Sequence, residues 1–329
     1  MRTSGKIAAA LLAATLLVGA SAVSAGTPTV TTSTGVITHG SIDTTDDTIG
    51  WLLTCPVSHS LPDDPILYPG MTGMAHLHDF TGNASTNANS TLQSMQDPAN
   101  QASKTAYTGS TTQPGTSCNL PTYSPGTAGD TAAYWRPALY VDGVKVTPTV
   151  KDQLYYRAKP TFGTGFQPIP QDARLIVGTA SATSTAGNQA LVDGRIYWED
   201  SGGNKMNTIP TTSSFLLNIV FPSCWDGQPM NHTGAGGTDN NHFTYAVSGS
   251  CPAGFPAKVP QLSEKFKYDN VPAGVRELAS MQGTTGRAGG WTAHADFWNT
   301  WNATALQYLT DKCVNAQISC GTNPITPVG

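Results

Sequence analysis

Charge is scarce in this 329-residue sequence: Asp, Glu, Lys and Arg together make up 12%. The formal net charge is −4, and no basic run occurs, so nucleic acid is not an expected partner. No heptad pattern appears, and beyond the first 18 residues no apolar run approaches the ~20 residues of a membrane span. The sequence lacks G-x-S-x-G, H-E-x-x-H and a glycine-rich loop ending in Gly-Lys-Ser/Thr. The serine-hydrolase, zincin and phosphate-loop chemistries that those motifs carry are therefore set aside. There are six cysteines but no C-x-x-C, which argues against a structural zinc site.

What is present begins with an export signal. Arg2 and Lys6 precede the apolar stretch Ile7 to Val18, and Val23 and Ala25 suit a cut before Gly26. Residues 1–25 are read as a signal peptide, which implies an extracellular, secreted chain with no membrane attachment once it is removed. Without Arg2 and Lys6 the formal charge becomes −6. A mature terminus at Gly26 also disfavours a copper site built on an N-terminal histidine.

An oxidising exterior lets an even number of cysteines persist as disulfides. Six allow 15 connectivities, and nearest-neighbour pairing gives Cys55–Cys118, Cys224–Cys251 and Cys313–Cys320. Residues 26–50 form a Thr-rich lead-in, 51–320 a single domain, and 321–329 a disordered tail. Abundant Thr, Ser, Gly, Asn and Pro suit many short strands joined by turns. Thr81 to Gly129 reads as long loops, stapled through Cys118.

The clearest strand signal is AAYWRPALYVDGVKVTP, where two runs flank Asp142-Gly143, a dipeptide suited to a type I′ hairpin. RLIVG, GRIYWED and SSFLLNIVF follow, with SGGN as another turn between Asp200 and Lys205. Only Thr300 to Val314 has helical spacing, with Asn302 or Thr300 as its cap. The expected fold is all-β or β-rich: a disulfide-stapled sandwich or jelly roll with long loops, one C-terminal helix and a monomeric state.

Histidine is rare, yet its settings repeat. GMAHLHDFTGN places His76 and His78 two apart beside Asp79, and GGWTAHADFWNTW places His294 two before Asp296. Residues at i and i+2 of a strand share a face, so such pairs can hold a metal ion or a substrate group. His242 lies in TDNNHFTY with Asp239, and Asp226 lies in CWDG. Convergence of these segments would give a site of His76, His78, His242, His294, Asp296 and Asp226. Imidazole near neutral pH serves as acid, base or ligand. A divalent metal at His76, His78 and His294 is the cofactor this pattern allows. His39, His59 and His232 have no comparable setting and are read as surface residues.

Among Tyr134, Trp135, Tyr140, Trp198, Trp225, Trp291 and Trp298, most are expected in the core. Trp135 and Trp225, with polar neighbours, are candidates to stack on sugar rings, and Arg136 could neutralise a substrate carboxylate. A glycosidase would need two carboxyl groups, about 5 Å apart for retention or 6.5–9.5 Å for inversion. A lyase on uronic-acid polymers would need a base such as His78 or His294.

Five ordered segments, HLHDFTGN, SCNLPTYSPGTAGDTAAYWRPALY, FPSCWDG, DNNHFTYAVSGSCPAGFPAKVPQL and AHADFWNTW, resemble the domain of unknown function 1996 family of secreted fungal and bacterial proteins. The resemblance spans about residues 51 to 315. Members often carry a second aromatic and a glycine after the histidine pair, where this chain has Phe80, Thr81 and Gly82. The resemblance implies an extracellular setting and favours polysaccharide or cell wall as ligand. It groups His76, His78, Trp135, Asp226, His242, His294 and Asp296 and gives none a role. The expectation is a secreted hydrolase or lyase acting on polysaccharide. A carbohydrate- or metal-binding module without turnover and a structural wall protein are the alternatives.

Overall fold

The computed structural model describes residues 49–97, 116–118, 130–230, 232, 236–281 and 289–322, all within one compact unit. The expected signal peptide, most of the lead-in and the tail beyond residue 322 lie outside the described residues.

Eighteen strands in four sheets carry the described fold, as the strand-rich composition requires. The larger sheet orders β10 (Lys205–Met206), β9 (Ile196–Asp200), β11 (Phe215–Val220), β15 (Gln261–Tyr268), β7 (Asp152–Ala158), β1 (Ile49–Cys55) and β18 (Ser319–Gly321). The second orders β2 (Val57–Leu61), β3 (His78–Gly82), β4 (Ala133–Pro137), β17 (His294–Trp298) and β8 (Arg174–Gly178). One small sheet joins β13 (Phe243–Thr244), β12 (Cys224–Trp225) and β14 (Ala257–Lys258). The other joins β16 (Arg276–Leu278), β5 (Leu139–Val141) and β6 (Val144–Lys145).

The two large sheets pack face to face. Strand β7 alternates buried and half-buried residues, so Asp152, Leu154 and Tyr156 point inward while Gln153, Tyr155 and Arg157 point outward. From the opposite sheet, Tyr134 meets Tyr156 through a 2.6 Å hydroxyl–hydroxyl hydrogen bond. Phe297 packs edge-on against the same ring. Trp51 stacks on Tyr156 at 4.9 Å, and Trp301 closes the group by donating Nε1–H to the Tyr156 hydroxyl. Aromatic burial of this kind dominates the interior energetics of a sandwich.

Strands β3, β4 and β17 are buried on both faces. Their second face carries a smaller core of Phe80, Ala133, Trp135 and Trp298, covered by Ile66 from the loop before β3 and Met95 from a short helix after it. This two-sided burial places polar side chains of those strands out of solvent.

The Asp142-Gly143 hairpin forms, both residues having positive φ (48° and 77°), as a type I′ turn requires. The run before it breaks at Ala138, so β4 and β5 join different sheets. All three disulfides pair nearest neighbours: Cys55–Cys118, Cys224–Cys251 and Cys313–Cys320. The C-terminal helix runs Ala303–Leu309, and Asn302, not Thr300, caps it by accepting from Ala305 N–H. It passes into a π-helical turn at Thr310–Asn315. Short helices at Leu92–Gln96 and Gln189–Val192 were not anticipated; Thr91 and Ser94 stabilise the first with a reciprocal capping box. Gly321, assigned to the tail, instead ends β18 beside β1.

Candidate metal centre

Strands β3 and β17 flank β4, and each begins with a histidine. In β17 the alternation places His294, Asp296 and Trp298 on the sheet face that also carries His78 and Phe80 of β3. His76 precedes β3 in the loop, so the H-x-H pair is not wholly on a strand. Its ring still reaches its neighbour, with the His76 and His78 centroids 4.2 Å apart.

Three imidazoles therefore converge. The Nε2 of His294 lies 3.2 Å from Nε2 of His76 and 3.4 Å from Nε2 of His78. One donor nitrogen from each ring falls within 4.8 Å of the others. Two of the rings are fixed from behind: His78 donates Nδ1–H to the Asp63 carbonyl (2.9 Å), and His294 donates Nδ1–H to the Thr292 carbonyl (2.7 Å). Those bonds leave the Nε2 lone pairs of both neutral rings aimed at the same space, as in metal-ligating histidines whose other ring N–H is held by a carbonyl that fixes tautomer and orientation. Burial holds His76 down to about 3, with the nearby His294 adding to the effect, and His294 down to about 4, opposed by its Thr292 contact. His78, fully enclosed, is held well below its ordinary value first by burial and then by the other two rings.

The sequence around this point supplies the supports. Asp63 takes backbone N–H groups of Gly73 and Ala88 on its two carboxylate oxygens, fixing the loop whose carbonyl orients His78. Asp64 accepts from Ile66 and Leu67 N–H and closes the start of the same loop. Opposite His294 in β8 stands Gly178, at φ +103°; a Cβ there would lie 2.7 Å from the His294 Cα. Only glycine lets the two backbones approach so closely.

Asp296 lies beside the histidines, its Oδ2 4.0 Å from His294 Nε2. It is 1% exposed, and among the described residues neither of its carboxylate oxygens has a hydrogen-bond partner. The indole N–H of Trp135, its cross-strand neighbour, is likewise without one. Burial, then the charges of Asp64 and Glu264, push the Asp296 carboxyl well above the usual carboxylate range. A buried carboxylate without partners is costly, and its position next to three convergent imidazoles offers a reason for it.

The remaining expected site residues are placed elsewhere. His242 and Asp226 pair with each other, Nδ1 to Oδ2 at 2.8 Å, beside the small β12–β13 ladder, and are not members of the three-histidine group. Trp225, half-buried in that ladder, donates its indole N–H to the Gln228 carbonyl. Trp135 and Arg136 need correction as substrate contacts, because neither has exposed surface. Trp135 belongs to the smaller core, and Arg136 points to the inter-sheet side, where it pairs with Asp152 at 2.9 Å. His59 and His232 are not free surface residues either. His59 stacks on Phe80 and contacts the Thr86 carbonyl, whereas His232 contacts Asp239 at 3.1 Å. His39 lies outside the described residues.

Asp63, Thr292 and Gly178 were not singled out from the sequence. The first two act through backbone carbonyls, which carry no residue-type signal. Gly178 was legible only as the end of a strand run.

A family model described as a domain of unknown function (DUF1996) matches residues 64–301, well over half of the chain, so the chain belongs to that family. No curated protein and no solved structure matches it. Among the described residues no helix is long and apolar enough to cross a membrane.

Proposed function

We propose that this DUF1996 member is a secreted metalloprotein that acts on extracellular or cell-wall polysaccharide, as a hydrolase or lyase, through a centre of His76, His78 and His294. The observation that carries the reading is the convergence of three Nε2 atoms, two of them on rings whose Nδ1–H is already held by a carbonyl. Three histidines and one further position form the ligand set of catalytic zinc sites, and imidazole also suits other transition metals. When bound, such an ion supplies Lewis acidity and a lowered pKa for its water.

The chain's own groups would do the rest. His78 and His294 orient the lone pairs, with the Asp63 and Thr292 carbonyls as their rear supports. His76, half-buried, stands on the side of the centre nearest solvent, where a substrate oxygen would arrive. Asp296, close enough to hydrogen-bond a water or sugar hydroxyl held by the centre, is the candidate general base. Export is supported by the apolar N-terminal stretch and by three disulfides.

A second reading, metal binding without turnover, is favoured by one specific feature: His78 and His294 are 0% and 4% exposed. Incubating purified protein with a panel of wall polysaccharides, with and without chelator, separates the readings. Chelator-sensitive release of sugar ends supports catalysis, and absorbance near 235 nm marks the unsaturated uronate of a lyase. Bound metal with no release from any polymer would favour the binding module.

A further inference from the structure

The loop between β2 and β3, which carries His76, gathers exposed apolar side chains. Among the described residues eight large hydrophobic side chains are exposed, and Leu67, Tyr68, Met71 and Met74 are four of them. Apolar groups gathered in one place mark interaction sites, whereas scattered ones carry no such meaning. An ordered backbone holds these four outward. Ala75 N–H closes the loop on the Pro62 carbonyl, and successive turns join Tyr68 N–H to Asp64, Met71 to Tyr68 and Met74 to Met71. From inside, Asp63 takes Gly73 N–H, and Asp64 takes Ile66 and Leu67 N–H. Closed loops supported in this way are frequently functional. Met74 stands two residues before His76, and the Asp63 carbonyl orients His78, so loop and histidine centre share one framework.

The surroundings of the centre are also short of positive charge. Leu67–Met74 contains no charged residue, and neither Lys nor Arg occurs in residues 61–97 or 289–302, the segments that supply all three histidines. The five-stranded sheet itself carries two cations, both committed. Arg136 is buried against Asp152, and Arg174 pairs with Asp172 over the Trp298 ring. Lys145 reaches β3 from β6 but is held by Asp79, on the face opposite His78. Asp63, Asp64 and Asp296 meanwhile place acids on the segments around the centre. Among the described residues, an anionic polymer would therefore meet acids and no cation left to pair with it, and an ion at the centre is already faced by Asp296.

We propose that this loop seats an uncharged polysaccharide, with Tyr68, Met71 and Met74 against the apolar C–H faces of its sugar rings. Thr72 and Asn89, both exposed and meeting at 3.5 Å on the loop's edge, take its hydroxyls. This rests on polysaccharide being the ligand and narrows its class. β-Elimination needs a carboxylate beside the C–H that is lost, so an uncharged polymer leaves hydrolysis. In that reaction the glycosidic C–O bond breaks, water's oxygen joins the anomeric carbon, and a proton goes to the departing oxygen.

Titration calorimetry of the full chain, as purified and again in chelator, tests this with soluble probes. A β-glucan, a xylan, a mannan and chitin oligomers are compared with polygalacturonate and alginate. At least one uncharged probe should bind more tightly than either acidic one, with an affinity that salt does not change, because salt screens only charges. Tyr68→Ser and Met71→Ser/Met74→Ser should each lose about tenfold in affinity, the cost of leaving such a side chain uncovered. Both should keep the wild-type melting temperature, since the replaced side chains are exposed, and Tyr68→Trp should keep the wild-type affinity. Unchanged affinity in both serine variants would overturn the proposal. Tighter binding of polygalacturonate or alginate would overturn it too, while leaving the polysaccharide reading in place. Binding of no probe at all would overturn both.

Discussion

The Nε2 atoms of His78 and His294 lie 3.4 Å apart, although each ring spends its Nδ1–H on a backbone carbonyl. In neutral rings that tautomer leaves two lone pairs facing one another with no proton between them. A cation removes the conflict, and the third imidazole, His76, completes its ligand set. The two strands that deliver His78 and His294 are held in register by β4 between them, so two of the three ligands rest on the sheet and only His76 comes from a loop.

Asp296→Asn should leave the fold intact, because a buried carboxyl with no hydrogen-bond partner among the described residues is not holding the core together. Its effect should fall on the centre. We expect a loss of about 10–100-fold in metal affinity, the usual cost of altering a group next to the ligands. A competition titration with a chromogenic chelator measures it; unchanged affinity would detach Asp296 from the site.

Gly178→Ala should distort the histidine centre from a position that touches no metal. The added methyl group would meet the Ala293 carbonyl and lie 2.7 Å from the His294 Cα, at a φ of +103°. A strained backbone of this kind costs about 1–3 kcal/mol. The variant should melt lower and hold less metal, read by calorimetry and metal analysis on one preparation. A variant matching wild type in both would show that β8 and β17 have room to separate.

Removing one partner of the Arg136–Asp152 pair should be among the most damaging substitutions. Both side chains are fully buried, and Asp152 also accepts from Thr81 and from Lys267 N–H. Asp152→Ala would leave the guanidinium buried without its counter-charge, a loss of about 3–5 kcal/mol. Denaturant unfolding measures it. A loss under about 1 kcal/mol would mean that Glu264, which lies near enough to act electrostatically on Arg136, takes over as partner.

Stability of the metal-free protein should fall as pH rises toward 8. Burial pushes the Asp130 carboxyl up to about 8, against Ala132 N–H and the Tyr134 hydroxyl, which pull it down. The folded chain therefore keeps a proton that the unfolded chain sheds near 3.8, so the stability this group contributes is complete in acid and lost between about 4 and 8. Burial raises Glu264 in the same direction. Below about pH 6.5 the buried neutral His76, His78 and His294 act in the opposite sense, so the test lies above that range. Melting temperatures in chelator at pH 7 should exceed those at pH 8.5, and Asp130→Asn should flatten that slope. A slope identical in the variant would remove Asp130 as its source.

Much of this was readable from residue types. Asp142-Gly143 admits positive φ at two successive positions, so the hairpin follows from local sterics. The histidine spacings pointed to His76, His78 and His294 because imidazoles are few and each pair repeats at period two. Sidedness was less readable. Strands β3, β4 and β17 are covered on both faces, the outer one by Ile66 from a loop and Met95 from a five-residue helix too short to show periodicity. Nothing in AYWRP therefore says that Trp135 turns toward those segments and Arg136 toward Asp152. His242 and Asp226 share the company of the other candidates in sequence, yet they pair beside a small separate sheet, a matter of topology that one sequence does not encode locally.

The most direct measurement is elemental analysis of the purified full chain after equilibration with a first-row transition metal and desalting, beside His78→Ala and His294→Ala. We expect about one ion per chain in the wild type and under a tenth of that in either variant. Saturating metal should raise the wild-type melting temperature by about 5–10 °C, the shift expected at about a hundredfold excess over Kd for a chain of this size. No bound ion in the wild type and no thermal shift with zinc, copper, manganese or nickel would contradict a metal centre at His76, His78 and His294.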